Sequence, residues 1–139
     1  RHPHSQIIGL RNYDYHEDIT VKNMNGWLLH EDQDIRITLS KHPIIGFFEY
    51  NLQYKPDAPV RSIAMRLQQT IRYVLDSLAK FSQSYNYFFY QLEDGYEYIK
   101  VIPRYITTPL YVGYKIPQTC NDERAAKILQ NITPYFELK

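Results

Sequence analysis

The sequence predicts an α+β fold in which an antiparallel sheet carries one long helix and a short C-terminal helix. Segments that alternate apolar and polar residues with a period of two occur on both sides of residues 60–80, and this alternation is typical of half-buried strands. Residues 60–80 carry one apolar stripe at helical spacing, which predicts an amphipathic helix. Because strands are grouped before and after this helix, an antiparallel sheet is the expected architecture.

The chain begins with the string His-Pro-His-Ser-Gln at residues 2–6, and the apolar residues 7–10 follow it. In a β-strand, residues i, i+2 and i+4 share one face, so His2, His4 and Gln6 are expected to point in the same direction. Imidazole is the side chain best suited to nucleophilic attack or proton relay near neutral pH. A tag or a disordered leader is the alternative origin of such a string.

Three candidate strands come next. Residues 11–22 are polar and predict a connector, after which residues 26–30 and 35–39 predict two strands. An acidic turn joins these two strands; it contains Glu31, Asp32 and Asp34. The third strand is predicted over residues 44–52, directly after Pro43.

A helix entry signal precedes the apolar stripe, because Asp57 can cap a helix and Pro59 is tolerated in its first turn. The stripe predicts a surface helix of about six turns that lies on the sheet. It consists of Val60, Ile63, Ala64, Leu67, Ile71, Val74, Leu75 and Leu78.

The rest of the chain predicts a hairpin and a closing helix. Residues 85–92 and 96–102 form two aromatic strands whose short link ends in Gly95, which favours a β-hairpin. Residues 108–116 predict a further extended segment. A helix is expected over residues 122–132, with Asn121 as its N-cap.

Composition excludes several classes of protein. The 139 residues suit one domain, and 44% hydrophobic with 22% charged residues is an ordinary globular composition. A net charge of +1 gives no basic surface for nucleic acid or membranes. Cys120 is the only cysteine, which excludes an intrachain disulfide framework and favours a reducing, cytoplasmic setting. No apolar run approaches the roughly 18 residues of a membrane span.

Other polar residues receive ordinary interpretations. The histidines outside the N-terminal string are isolated in sequence, and we interpret them as surface or strand-end residues rather than metal ligands; they are His16, His30 and His42. The acidic turn around Asp32 has the oxygen ligands that a hard cation prefers, but a solvated turn is the favoured interpretation.

Two widely separated segments resemble one family. The string at residues 2–6 is similar to the His-x-His-x-Gln active-site string of galactose-1-phosphate uridylyltransferase and its relatives in the histidine triad (HIT-like) superfamily. Residues 111–114, Tyr-Val-Gly-Tyr, resemble the hexose-binding segment in the second half of those enzymes. The resemblance spans nearly the whole chain and matches the end of the first half and the whole second half. It implies a HIT-like α+β fold.

The resemblance also implies a role for each matching residue. His4 matches the histidine that attacks the α-phosphorus of a nucleotide sugar and then carries the nucleotidyl group. Gln6 matches the amide that holds the non-bridging phosphate oxygens, and Ser5 occupies the small-residue position beside them. His2 matches a zinc ligand of some members. The residues that match positions near the sugar or sugar phosphate are Val112, Tyr114 and Gln118.

The sequence departs from the family at its metal and sugar positions. Some members have a second metal site whose histidines align with Tyr98 and Lys100, and neither side chain suits a divalent metal here, so we expect this site to be absent. Lys115 stands where an acidic residue contacts the hexose, which leaves the sugar open. His2 alone cannot hold zinc tightly, so zinc is expected only in a full-length parent that supplies the other ligands.

These matches divide the chain into two parts. We expect residues 1–22 to be the last strand of a preceding, absent HIT-like half with its connector, and residues 23–139 to be the C-terminal half-domain. The parent is expected to be a cytoplasmic nucleotidyltransferase, or nucleotide phosphorylase, that acts through a histidine–nucleotide intermediate on a nucleotide sugar or sugar phosphate. The chain alone is expected to be inactive. The alternative is a degenerate module that binds a nucleotide, a sugar phosphate or a protein partner without turnover. Neither interpretation involves nucleic acid or a membrane, and a homodimer is a candidate assembly.

Overall fold

The computed structural model describes residues 11–44, 48–77, 84–104 and 120–137. Over these ranges the main elements are β1 (Gly26–Glu31), β2 (Ile35–Ser40), β3 (Tyr50–Tyr54), α1 (Val60–Ser77), β4 (Tyr85–Gln91), β5 (Glu97–Pro103) and α2 (Asp122–Phe136). The strands form one antiparallel sheet in the order β1-β2-β3-β5-β4. The prediction of an α+β fold with one long helix and a shorter C-terminal helix is confirmed.

Both helices pack on one face of the sheet. Alternate strand positions point to this face, and their side chains share one apolar core with the helices. The most deeply buried strand residues in it are Ile37, Leu39, Leu52, Ile99 and Val101. Helix α1 contributes Tyr73 and Val74, and helix α2 contributes Ala125, Ile132 and Phe136.

Within the described residues helix α1 runs from Val60 to Ser77, and most of the predicted stripe packs against the core: Ile63, Leu67, Ile71 and Val74. The buried face also includes positions that the stripe does not contain. Val60, the first residue of that stripe, is 79% exposed, whereas Gln69, Thr70 and Tyr73 are buried. The reason is that α2 packs against α1 as well as against the sheet, so α1 buries polar positions that a helix lying on a sheet alone would leave in water. The buried Thr70 hydroxyl has a hydrogen-bond acceptor within its own helix, because it donates to the Arg66 carbonyl at 2.8 Å.

Two further boundaries differ from the prediction. Strand β3 begins at Tyr50 and not at Ile44; residues 45–47 and 108–116 lie outside the described ranges. Helix α2 has the predicted Asn121 cap but continues to Phe136 through Pro134. A proline in the last turn removes only one backbone hydrogen bond, and burial of Phe136 stabilises that turn.

The predicted connector packs on the opposite face of the sheet. It contains two short 3-10 helices, Tyr15–Glu17 and Val21–Asn23. Ile19 and Met24 are buried in a second apolar cluster with Leu92 and Tyr98. This segment therefore covers strand positions that the alternating pattern would assign to solvent.

No helix in the described ranges is long and apolar enough to cross a membrane.

Candidate functional site

The residues that the resemblance assigns to catalysis and binding are outside the described part of the chain. They are His2, His4, Ser5, Gln6, Val112, Tyr114 and Gln118, and Lys115 is outside it as well. Their roles therefore stay predictions. The polar sites that the structure does describe are built from other side chains.

A buried ion pair lies on the sheet face opposite the helices. Lys100 on β5 and Glu49, just before β3, are both fully buried, and Lys100 Nζ lies 2.6 Å from Glu49 Oε1. Lys100 Nζ also donates to the Asn23 carbonyl at 3.0 Å and to Ser40 Oγ at 3.1 Å. An ammonium group has three protons, so these three acceptors match its whole donor capacity. Lys100 is thus held by the protein itself and is not available to a ligand.

Further polar side chains surround this ion pair, and together they form the buried polar cluster: Thr38, Ser40, Glu49, Asn51 and Lys100. Asn51 Nδ2 donates to Ser40 Oγ at 2.8 Å and to the Met24 carbonyl at 3.2 Å. The hydroxyls of Thr38 and Ser40 donate to the carbonyls of Met24 and Asn23, each at 2.6 Å. The cluster therefore fastens the second 3-10 helix to the sheet.

The electrostatics of the cluster are those of a desolvated pair. Burial lowers the pKa of Lys100, and this effect outweighs the attraction of Glu49, which acts in the opposite direction. Removing one partner of such a pair costs far more than the intact pair contributes, because a charge is left in an apolar interior. The arrangement is suited to positioning backbone rather than to proton transfer.

Tyr98 lies two residues before Lys100 on the same face of β5 and is also buried. Its hydroxyl donates to Asp94 Oδ2 and accepts a hydrogen bond from Gln53 Nε2 at 2.9 Å. Burial and the hydrogen bond to Asp94 raise the pKa of Tyr98. At both positions that match metal-binding histidines, the polar group is therefore bound to protein partners. No group of three His, Cys, Asp or Glu side chains within the described ranges is placed to hold a metal ion, and the absence of the second metal site stays a prediction.

The sequence contained a signal for the buried polar cluster. Residues 49–54 alternate Glu, Tyr, Asn, Leu, Gln and Tyr, so one face of β3 is apolar and the other is polar. Such a pattern normally indicates that the polar face meets water. Here residues 11–25 cover it, which the local pattern does not reveal.

Asp32, in the predicted solvated turn, is instead the centre of a polar contact between the β1–β2 turn and both helices. Its Oδ2 lies 3.0 Å from His30 Nε2 and 3.0 Å from Arg66 Nε. Arg66 Nη1 in turn donates to the Phe136 carbonyl at 2.8 Å. His30 lies at the end of β1, in line with the strand-end interpretation, and Asp32 is exposed but also links the turn to both helices through Arg66.

Acid is expected to weaken this contact. Partial burial raises the pKa of Asp32, but hydrogen bonds from His30, from the backbone N–H groups of Asp34 and Ile35, and from Arg66 together lower it to about 2. A carboxyl whose folded pKa is depressed stabilises the fold above its unfolded pKa, and this stability is lost as the pH falls through the folded value. We expect the fold to lose about 1 kcal/mol between roughly pH 4 and pH 2 from this group, after allowance for solvent screening.

Urea unfolding at several pH values measures this loss, and Asp32→Asn is the matching variant. The variant should have a lower free energy of unfolding than the wild type at neutral pH, and the two values should become similar near pH 2. A constant difference in the free energy of unfolding over this range would contradict the assignment.

His16 anchors the first 3-10 helix to the edge of the sheet. Its Nδ1 lies 2.5 Å from Asp14 Oδ1 and its Nε2 lies 2.8 Å from the Gln91 carbonyl. Both of these oxygens accept hydrogen bonds, so this geometry favours the imidazolium form, in which both ring nitrogens carry a proton. The hydrogen bond to Asp14 and then that to Gln91 raise the pKa of His16, although desolvation lowers it.

Alkali is therefore expected to release this anchor. A raised folded pKa means that the stabilisation is complete below the unfolded value of about 6.5 and is lost as the pH rises through the folded value. NMR titration of the His16 ring should give a pKa above that of an unfolded histidine, and Asp14→Asn should lower it. An unchanged His16 titration in Asp14→Asn would rule the pairing out.

Comparisons with known proteins place this fold in a family. A family profile described as the C-terminal domain of a domain of unknown function, DUF4931, matches residues 16–136. The structure is similar to the 2.65 Å crystal structure of a DUF4931 family protein from Bacillus cereus ATCC 10987, with a TM-score of 0.76 and 34% sequence identity. That match covers 94% of this chain and 58% of the crystallised one, so this chain spans little more than half of that protein.

A comparison of the sequence with curated proteins finds no match. None of these findings names a uridylyltransferase, so the HIT-like resemblance stays a prediction. The family profile covers most of the chain and the solved structure agrees with it over nearly the whole length. The chain belongs to the DUF4931 family and matches its C-terminal domain.

Proposed function

We propose that this chain is the C-terminal part of a nucleotidyltransferase that acts through a covalent nucleotide on His4. The observation that carries this proposal is the string His-Pro-His-Ser-Gln at residues 2–6. Two histidines and a glutamine at this spacing supply a nucleophile, its positioning partner and a donor to the phosphate oxygens. An α+β fold with helices on one face of an antiparallel sheet, which the same resemblance implies, supports it.

The reaction is a double displacement. A ring nitrogen of His4 attacks the α-phosphorus of a nucleotide sugar, a nitrogen–phosphorus bond forms, and the bond to the leaving sugar phosphate breaks with its electron pair on the departing oxygen. A phosphate oxygen of the acceptor then attacks the same phosphorus and releases the imidazole. Gln6 donates to the non-bridging oxygens as their charge grows, with Ser5 beside it. Val112, Tyr114 and Gln118 match residues near the sugar phosphate, and His2 would be one ligand of a zinc ion whose binding would align the string.

An adduct experiment tests the nucleophile. The full protein is incubated with radiolabelled UDP-glucose, ADP-glucose or a dinucleoside polyphosphate and probed for a protein–nucleotide adduct that is labile in acid and stable in base. We expect labelling of the wild type and of the control His16→Ala, which changes an exposed histidine, and none of His4→Ala. An adduct that persists in His4→Ala would show that another residue is the nucleophile.

A second candidate is a non-catalytic module that binds a nucleotide or a sugar phosphate. The observation that favours it is the strand β5, where Tyr98 and Lys100 are committed to Gln53, Asp94 and Glu49 and offer nothing to a metal or substrate. A nucleotide that raises the melting temperature without labelling the protein would support this candidate over catalysis. If none of the three nucleotides labels the protein or raises its melting temperature, both candidate functions are contradicted.

A further inference from the structure

A basic cleft lies beside the outer strand β1, where the second 3-10 helix meets the end of β2. Its volume is about 500 Å³. The residues that line it are Val21, Lys22, Asn25, Gly26, Lys41 and His42. These residues come from two segments about 20 positions apart in the chain, so the cleft exists only in the folded protein.

Positive charge dominates this cleft. Lys22 and Lys41 are exposed cations, the exposed His42 ring adds an N–H donor, and none of the six lining residues is acidic. The Glu93 carboxylate accepts the Val21 N–H at 3.3 Å but is not a lining residue. In a chain whose net charge is only +1, this is a local concentration of one sign.

The two walls are held together independently of the ammonium groups. The Lys41 N–H donates to the Asn25 carbonyl at 3.2 Å, and Asn23 Nδ2 donates to the His42 carbonyl at 3.0 Å. Beneath them the Ser40 hydroxyl of the buried polar cluster donates to the Asn23 carbonyl. These bonds use backbone and neutral groups, so the two walls of the cleft stay joined without either ammonium group.

The position of Lys41 is further restricted by an aromatic ring. Its Nζ lies 5.2 Å from the centre of the Trp27 ring, within the range of a cation–π contact. The Trp27 Nε1 donates to Asp122 Oδ1 at 2.8 Å, which fixes the ring at the N-terminus of α2. The ammonium group of Lys41 is therefore placed by a side chain that is itself hydrogen-bonded.

We propose that this cleft binds the phosphate groups of a small anionic ligand. The positive charges of two ammonium groups, with the imidazole N–H as a further donor, complement a phosphate group with two or three negative charges. Lysine commonly binds phosphate through the charge of its ammonium group. The volume of the cleft suits one small molecule. Nucleic-acid binding requires contacts to more phosphate groups than two lysines and a histidine can make. The proposal rests on residues 21–26 and 41–42 and not on the role proposed for His4.

The test is a titration of the full protein with inorganic phosphate, pyrophosphate and ADP at matched ionic strength, followed by backbone amide NMR. We expect the shift changes with all three to be concentrated in residues 21–26 and 41–42. Pyrophosphate and ADP should bind more tightly than phosphate if two phosphate groups are held. Equal affinity for all three would identify a single-phosphate site, whereas shifts confined to ADP would contradict a phosphate site.

Charge-removing variants supply the second measurement. Lys22→Gln and Lys41→Gln should each weaken pyrophosphate binding about tenfold, because a hydrogen bond to a charged group is lost in each. Lys22→Arg and Lys41→Arg keep the charge and should restore binding. Lys55→Gln removes an exposed lysine between β3 and α1 and should leave the affinity unchanged. Among the described residues the Lys22 side chain has no hydrogen bond or ion pair, so Lys22→Gln tests the cleft even if Lys41→Gln disturbs packing on Trp27.

The outcomes separate this proposal from nucleotidyl transfer. His4→Ala should bind pyrophosphate at the cleft as the wild type does, whether or not the protein forms an adduct. Equal affinity in Lys22→Gln, Lys41→Gln and Lys55→Gln, or shift changes that avoid residues 21–26 and 41–42, would overturn the proposal. Neither result would bear on His4.

Discussion

Lys100→Met is expected to destabilise the fold by about 3–5 kcal/mol, because it leaves the Glu49 carboxylate buried without its cation. Methionine has nearly the length of lysine, so little packing is lost. The other two acceptors of Lys100 keep a partner: Ser40 Oγ still accepts from Asn51, and the Asn23 carbonyl still accepts from the Ser40 hydroxyl. The loss therefore falls mainly on Glu49. Urea unfolding followed by circular dichroism measures it.

Two variants separate this electrostatic cost from a loss of packing. Lys100→Met combined with Glu49→Gln removes both charges and should recover most of the stability, since a neutral pair needs no ionic compensation. Lys127→Met removes an exposed lysine from α2 and should change the free energy of unfolding by less than about 0.5 kcal/mol. A double variant as unstable as Lys100→Met would show that the ion pair is not the cause.

The pH dependence gives an independent check of the same variant. In Lys100→Met the Glu49 carboxyl is expected to take up a proton rather than remain charged in the interior. The destabilisation should therefore shrink as the pH falls toward 4 and grow as it rises. A deficit that is constant from pH 4 to pH 8 would mean that Glu49 reaches solvent or another cation in the variant.

The elements could be predicted from the sequence because their signals are local. The alternation over residues 35–39 and the capping residue Asn121 depend on a few neighbours in the chain, and the structure has strand β2 and helix α2 in those places. What the helices and strands bury depends on distant segments. Gln69 and Thr70 are buried because α2 lies against α1, and no periodicity within α1 contains that information.

The polar sites could be predicted less well for the same reason. The polar face of β3 had an obvious pattern, but its meaning changed when residues 11–25 covered it and Asn51 became a donor to Met24. The link from the Asp32 turn to α1 could not be predicted either, because its partner Arg66 is 34 residues away. The string at residues 2–6 remains a prediction from chemistry and resemblance.

The buried polar cluster and the basic cleft are structurally linked. The carbonyl of Asn23 accepts hydrogen bonds from Lys100 and Ser40, while the Asn23 side chain donates to the His42 carbonyl. One residue therefore connects the interior ion pair to the wall of the cleft. Variants that break the ion pair without unfolding the protein should also weaken pyrophosphate binding, whereas variants of the cleft lysines should not alter the stability of the cluster.

Gly26→Ala is expected to destabilise the fold by about 3 kcal/mol through a clash with the neighbouring strand. A Cβ at Gly26 would lie 1.7 Å from the Leu39 carbonyl oxygen and 2.9 Å from the Lys41 backbone nitrogen. Both neighbours are backbone, so neither can rotate away as a flexible side chain would. Strands β1 and β2 must separate at this end, and the pairing of Gly26 with Ser40 is lost.

Gly95→Ala is the matched control, because the backbone conformation at Gly95 favours glycine although no neighbouring atom is close. Gly95 has a φ of +80°, and a Cβ there would meet nothing within 4 Å. Its replacement should cost about 1 kcal/mol from backbone strain alone, without disturbing the sheet. Since Gly26 lines the basic cleft, Gly26→Ala should also weaken pyrophosphate binding, and Gly95→Ala should not. If the two variants were equally stable, the close approach of β1 to β2 at Gly26 would be wrong.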